Sequence, residues 1–418
     1  MEVVTSGDVR EPEVSGPLRP MRWLWLLALA SFACSSRGDA PARAPTLGAT
    51  RELAPALSAS GSGATARAAS LGAPEASAGQ AEAGPEQTLS TREGWTSAEG
   101  TANPADDPAS PMHAELRQGD LAFAEDRFEL ASEHYERARR HAPSEPAPRI
   151  ALLRVRWAKL GLATAYAEAP HHPELERLVS EADAILAEHR DYAPALLEKG
   201  RLLLVLGDAP GAFASLRRSA EIDPKDPETH SALGIAQLAT GEPEKALVEF
   251  ERSAKLAPDQ PERLTNLGTA YMLRGRVSEA IATYKRALAL RPDDARTEGD
   301  LGAAHLADNR PDQALPHLLR ATTLAPDRAT FMTNLGYAYQ RQGQLDKAVE
   351  TQRRAIALDP KLGSAWINLG NALAELRQFE QAEVALRHAE TLDPTDPRPK
   401  ASLRDLLELK AQQPARPR

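Results

Sequence analysis

The sequence predicts an all-α protein, a stack of helix pairs behind a long polar leader, on three observations. Residues 193–396 repeat every 34 residues, six times without insertion or deletion. Each block carries two apolar runs at helical spacing, as in Leu267 and Tyr271, then Ala280, Ile281, Tyr284, Ala287 and Leu288. Small and helix-ending residues recur at fixed places. Glycine stands eighth (Gly200, Gly234, Gly268, Gly302, Gly336, Gly370), alanine twentieth (Ala212, Ala246, Ala280, Ala314, Ala348, Ala382) and proline thirty-second (Pro224, Pro258, Pro292, Pro326, Pro360, Pro394). A period of this length marks stacked units that touch their neighbours, not one compact core.

From the front, residues 1–20 carry Glu2, Asp8, Glu11 and Glu13, the wrong charge for the start of a signal, so translation is expected to begin at Met21. Arg22 and an 11-residue apolar run over 23–33 then describe a secretory signal peptide over 21–33, too short for a comfortable membrane span. Cys34 follows at once and is the only cysteine, which excludes a disulfide within the chain. Residues 34–111 are rich in alanine, glycine, serine, proline, threonine and glutamate, with neither strand nor helix period. Such a segment buries too little apolar surface to offset its ordering entropy and is expected to be a disordered tether, about 50 Å end to end, a degenerate helical region being the other reading.

A first repeat-like unit spans 112–145, with Gly119, Ala131, Tyr135, Ala138 and Pro143 in place. Residues 146–192 form a divergent unit 13 residues longer. Its second helix carries Leu175, Leu178, Val179, Ala182, Ile185 and Leu186 on one face, and the break at Pro170-His171-His172-Pro173 takes the extra length as a longer loop. In the six regular blocks over 193–396, glycine eight and alanine twenty let two helix axes approach. Leucine at place seven (Leu233, Leu267, Leu301, Leu335, Leu369) and the large residues at place thirty (Ile222, Leu256, Leu290, Leu324, Leu358, Leu392) are expected to fill the remaining space. Proline thirty-two ends the second helix. Glycine within a helix costs about 1 kcal/mol against alanine, so keeping it six times implies that close packing outweighs the penalty. Residues 397–412 read as a capping helix with Leu403, Leu406 and Leu407 in one apolar stripe.

The pattern L-G-x-x-Y…A-x-x-x-F/Y-x-x-A…P on this period resembles the tetratricopeptide repeat family over 193–396. That resemblance implies a right-handed superhelical solenoid whose first helices line a concave side, and a protein–protein interaction role. The apolar run followed by Cys34 resembles a bacterial lipoprotein signal, which implies a diacylated Cys34 and a membrane anchor. Ala33 fits that signal, whereas Ser31 stands where leucine is usual. Soluble export after Ala33 or Ala30, and an uncleaved anchor, are the other fates of this segment.

Composition narrows the function. A formal charge of −9 and a pI near 5.7 give no basic footprint for nucleic acid. His171-His172 lies in a proline-bounded loop without ligand spacing, so no metal is expected. There is no phosphate-cradling glycine loop and no nucleophile elbow. With the leader read as tether and the rest as repeats, no stretch is left for a catalytic domain, and neither enzyme activity nor a cofactor is expected.

The expected site is a surface. Exposed positions of the first helices give Ile235, Leu238, Met272, Leu273 and Leu306, then Tyr337, Gln340, Arg341, Asn371 and Glu375, a groove passing from apolar to polar. Place six carries Asn266, Asp300, Asn334 and Asn368. A carboxamide donates and accepts at once, which suits the backbone of a bound extended peptide. This series resembles the asparagine ladder of the repeat superhelix in protein O-linked N-acetylglucosamine transferases, with Asp300 interrupting it. Bonding within the array is the other role for asparagine there. The candidate peptide-binding residues are therefore Asn266, Asn334 and Asn368, with Met272 and Tyr337 reading side chains. A clamp of Lys and Asn four apart, which some members use for a partner's terminal carboxylate, is not supported: Glu228/Ala232, Glu262/Asn266, Arg296/Asp300, Thr330/Asn334 and Ser364/Asn368 supply no lysine. The expectation is a non-catalytic scaffold, exported and membrane-anchored on the periplasmic side of a bacterial envelope, assisting assembly of an envelope protein complex. A soluble cytoplasmic adaptor or co-chaperone, or a regulatory partner of a separately encoded enzyme, is the alternative.

Overall fold

The computed structural model describes residues 110–162 and 166–411. The expected signal peptide, Cys34 and the expected tether up to residue 109 lie outside the described residues. The described residues form 17 helices and no strand, and they divide after Pro292 into two compact units. The first unit holds α1 (Pro111–Ala124), α2 (Phe128–His141), α3 (Pro146–Lys159), α4 (Pro173–Glu188), α5 (Ala193–Leu206), α6 (Ala209–Ile222), α7 (Pro227–Ala239), α8 (Pro243–Leu256), α9 (Pro261–Leu273) and α10 (Val277–Leu290). The second holds α11 (Ala295–Ala307), α12 (Pro311–Leu324), α13 (Ala329–Arg341), α14 (Leu345–Leu358), α15 (Gly363–Glu375), α16 (Phe379–Leu392) and α17 (Pro397–Ala411). Within each unit the helices pack pairwise, and each pair packs on the next.

The helix ends follow from local chemistry. Proline opens α1, α3, α7 and α9, where a missing N–H breaks no helical bond. The Asp226 carboxylate caps α7, accepting from the Glu228 and Thr229 amides at 3.2 and 2.9 Å. Between the two helices of a pair the chain turns through a left-handed residue at place fifteen: Gly207, Gly241, Gly275 and Gly343, but also Asp126, Asn309 and Arg377. Glycine takes this conformation without steric cost. In the divergent unit, between α3 and α4, the Ala167 and Ala169 amides donate to Leu204 and Val205 carbonyls of α5 at 2.9 and 3.1 Å.

The glycine at place eight does what its recurrence implies. A methyl on Gly268 would stand 2.5 Å from the Tyr284 ring, and one on Gly234 2.8 Å from Phe250. The residue at place twenty-four fills each notch, as Tyr135, Leu216, Phe250, Tyr284, Leu318 and Leu386 do, and in one pair it is polar Gln352. Place seven is buried in all five leucines named above.

Three expectations change. Leu256, Leu290, Leu324 and Leu358 at place thirty do not fill the interior, being 37–45% exposed. Places twenty, twenty-four and twenty-seven follow the buried stripe, and a further step of three residues turns about 60° away from it. Ile235, Leu238 and Leu306, expected to be exposed, are buried. The first two belong to the apolar cluster that includes Leu202 and Leu264, and Leu306 packs with Leu335 and Ala338. A first helix is flanked by its own partner and by both adjacent pairs, so its free arc is narrower than a helical wheel implies. On α17, Leu406 is buried and Leu403 and Leu409 pack beside it, whereas Leu407 is 60% exposed. The capping stripe therefore runs 403, 406, 409.

Candidate peptide-binding faces

The candidate residues fall on first helices in both units, and each unit presents its own face. In the first, Asn266 is buried and its amide donates to Ser231 Oγ on α7 at 3.2 Å, a bond within the stack. Met272, near the end of α9, is partly exposed.

Behind that face lies a charge ladder that sequence reasoning missed. Arg154 (α3), Glu198 and Arg201 (α5), Glu228 (α7) and Arg263 (α9) are each at least nine-tenths buried. Glu198 Oε1 stands 3.3 Å from both Arg154 Nε and Arg201 Nη1, and Arg201 Nε is 3.8 Å from Glu228 Oε1. Arg263 closes the series on the other Glu228 oxygen. Aromatic faces help to carry the cations: Arg154 lies 5.1 Å from the Phe123 ring centre and Arg201 5.2 Å from that of Trp157. The sequence signal was there, since Glu198 and Arg201, three residues apart, stand with Lys199 in a helix of mostly apolar residues. Arg263 Nε and Nη1 and Glu198 Oε2 are buried without a hydrogen-bond partner. The ladder joins four successive helix pairs from within.

In the second unit α13 and α15 stand side by side. Asn334 on α13 is buried, Asn368 on α15 is partly exposed, and Tyr337, one turn beyond Asn334, is partly exposed. Asp300 on α11, which breaks the asparagine series, faces Arg296 at 3.8 Å. Gly299 makes room on the same helix: a methyl there would stand 2.5 Å from the Phe331 ring. Towards the end of α13, Arg341 donates to Tyr337 Oη at 3.2 Å and to Asn309 Oδ1 at 2.6 Å, while Gln340 donates to Glu375 Oε1 at 2.7 Å. Exposed polar and aromatic side chains thus sit on neighbouring first helices. That arrangement is suited to contacting a polypeptide. Among the described residues no group of three His, Cys, Asp or Glu is placed to hold a metal. No helix among them is long and apolar enough to cross a membrane.

Family models described as tetratricopeptide repeat match residues 203–267, 262–327, 300–362 and 341–406. No curated protein matches the chain. Among solved structures, the APC/C hetero-tetramer Cut9–Hcn1 is similar with a TM-score of 0.57 at 17% identity, over 70% of this chain and 55% of that one. The chain thus spans little more than half the length of that relative. PilF of Pseudomonas aeruginosa is similar at 19% identity over 52% of this chain and 99% of its own, with a TM-score of 0.45. YrrB, described as a TPR protein with an unusual peptide-binding site, is similar at 21% identity over 45% of this chain and 97% of its own, with a TM-score of 0.37. Helix pairs on a 34-residue period, notched at place eight and matched by these models, make residues 203–406 tetratricopeptide repeats within an all-α helical-repeat fold.

Proposed function

We propose that this protein is a non-catalytic protein–protein interaction scaffold, exported and held at a membrane through Cys34, which assists assembly of a protein complex in a bacterial envelope. The observation that carries the binding role is the partly exposed set Tyr337, Gln340 and Asn368 with exposed Arg341, on adjacent first helices of the second unit. Their hydrogen-bonding capacity faces outward from a rigid helical layer, and an extended segment of a partner is its occupant. Asn368 holds the main chain of that segment and Tyr337 contacts its side chains, while buried Asn334 backs the face from within α13. Met272 offers an apolar contact on the first unit, and the Ser231 bond gives Asn266 a structural share as well. The anchor rests on sequence: one cysteine, placed directly after an apolar run. A single acyl chain binds membranes marginally and two bind stably.

A photo-crosslinking amino acid at Tyr337, compared with one at Val384, which is 69% exposed on α16, tests the binding face in cells. Crosslinks to a discrete partner from Tyr337, absent from Val384 and lost in the triple Asn266→Ala, Asn334→Ala, Asn368→Ala variant at unchanged helical content, are expected. Equal crosslinking from both positions would remove the reading. In the same cells Cys34→Ala is expected to abolish fatty-acid labelling and release the protein from membranes; unchanged labelling would remove the anchor.

A further inference from the structure

We infer that the face of the second unit recognises an acidic side chain, an aspartate or glutamate within an extended partner segment, through Arg341. This rests on the scaffold reading and names the chemistry of its partner. Arg341 ends α13 and is exposed, and the partners that fix it are neutral oxygens, Tyr337 Oη and Asn309 Oδ1. Among the described residues, none of the carboxylates of the neighbouring segments forms an ion pair with it, although Asp312 and Glu375 accept only from neutral amides. Asp308 pairs with Arg310 at 3.1 Å, Asp312 accepts from Gln342 at 2.9 Å, and Glu375 accepts from Gln340 at 2.7 Å. Arg320 and Arg387 of the same unit do reach carboxylates, Asp293 and Glu298 for the first and Glu383 for the second, whereas Arg353, like Arg341, is held by a neutral oxygen, that of Gln381. Arg341 is thus a cation held in one orientation with its counter-charge missing.

A guanidinium has five donors in a planar fork. Two hydrogen bonds position this one, leaving the others for a carboxylate and lowering the entropy lost when it binds. The Tyr337 ring, 5.9 Å from the guanidinium carbon, supports the cation and offers an apolar contact to a neighbouring residue of the ligand. Partly exposed Asn368 and Asn371 on α15 continue the face with groups that suit a passing main chain. Charge complementarity therefore selects an acidic segment over a basic or purely apolar one.

The test uses the full chain and a display library of random 12-residue peptides. Enriched peptides are synthesised with amidated C-termini, each beside a counterpart with Asp→Asn or Glu→Gln, and their binding is measured by fluorescence anisotropy. The parent is expected to bind acidic forms roughly tenfold or more tightly than their amide counterparts, as befits a charge-assisted pair. Arg341→Gln is expected to erase that ratio while keeping the helical signal and melting temperature. Enriched peptides without acidic residues, or a ratio that survives Arg341→Gln, would overturn the assignment; so would binding that requires a free terminal carboxylate. In those cases a general loss of binding in Tyr337→Ala leaves the scaffold face standing. If no peptide enriches, or neither variant alters any binder, both readings fall together.

Discussion

At the scale of the residue, packing is decided by one small side chain and the group that fills its notch. Gly336 is met by Gln352, where the other pairs carry leucine, phenylalanine or tyrosine. Gln352 Nε2 donates to the Thr333 carbonyl at 2.9 Å, but its Oε1 is buried without a partner. A buried acceptor left unpaired costs about 1–3 kcal/mol, and Leu216, Leu318 and Leu386 show that leucine fits this slot. Gln352→Leu is therefore expected to stabilise the second unit by about 1 kcal/mol, read as a higher melting temperature. A lower one would show that the Thr333 bond outweighs the orphaned oxygen. Arg377 is a second residue at odds with its place. It holds the left-handed conformation that glycine takes in four other pairs, which strains a side chain with a Cβ.

At the scale of the element, helix pairs are pinned by polar side-chain contacts as well as by apolar ones. His134 and Glu115 join α2 to α1 at 2.7 Å, His230 and Glu249 join α7 to α8 at 2.6 Å, and His317 and Glu298 join α12 to α11 at 2.7 Å. All three use places four and twenty-three, with the two residue types exchanged in the middle pair. Hydrogen bonds from His134 and then Arg137 hold the Glu115 carboxyl below the usual range. Its contribution is present above the ordinary glutamate value of about 4.3 and is lost as pH falls below it. The buried ladder is the stronger joint. Removing one member of a buried pair strands its partner and costs about 3–5 kcal/mol, whereas replacing both with apolar groups is often neutral. Glu228→Ala is expected to destabilise by about that much, and Glu228→Met with Arg263→Leu by much less, in denaturant unfolding of the full chain. Equal losses from both variants would show that the ladder's charges are not what matters.

At the scale of the whole molecule, every substantial helix contact within each unit, among the described residues, joins helices one or two places apart in the chain. Stability is then a sum of pair and neighbour terms, and damage stays local. Gly370→Val forces side-chain bulk against Leu386, where even a methyl would stand 2.6 Å from its Cγ. It is expected to cost about 1–3 kcal/mol, with faster hydrogen exchange in α15, α16 and α17 and unchanged exchange in α3 to α8. Uniform loss of protection would show one cooperative unit instead. The same arithmetic suits a scaffold, whose faces change by substitution on one helix without unfolding the rest.

Period, helix pairing and the notch at place eight were legible in the sequence because they depend only on contacts repeated within each block. Gly268 opens the same local notch as five other glycines, and recurrence made it visible; that Tyr284 at place twenty-four fills it was not, since places seven and thirty were expected to do so. Contacts between blocks were not legible. Ile235 and Leu306 looked exposed on a helical wheel and are buried, because a single helix does not reveal how far its neighbours wrap around it. The Arg154 to Arg263 ladder was hidden for the same reason: its members lie on four different helices, and beyond the Glu198–Arg201 pair only stacking gives a charge its counterpart. Asn266 was legible as a hydrogen-bonding side chain, but its bond to Ser231 needed the spacing of α7 and α9. Arg341 read as one more polar residue until folding placed Asn309 and Tyr337 against it and tied Glu375 to Gln340. Sequence by itself determined the repeat and its helices, which are encoded by short-range sterics and periodicity. Tertiary structure alone decided which polar groups are spent inside the stack and which remain on its face, because that depends on distances between segments about 30 residues apart.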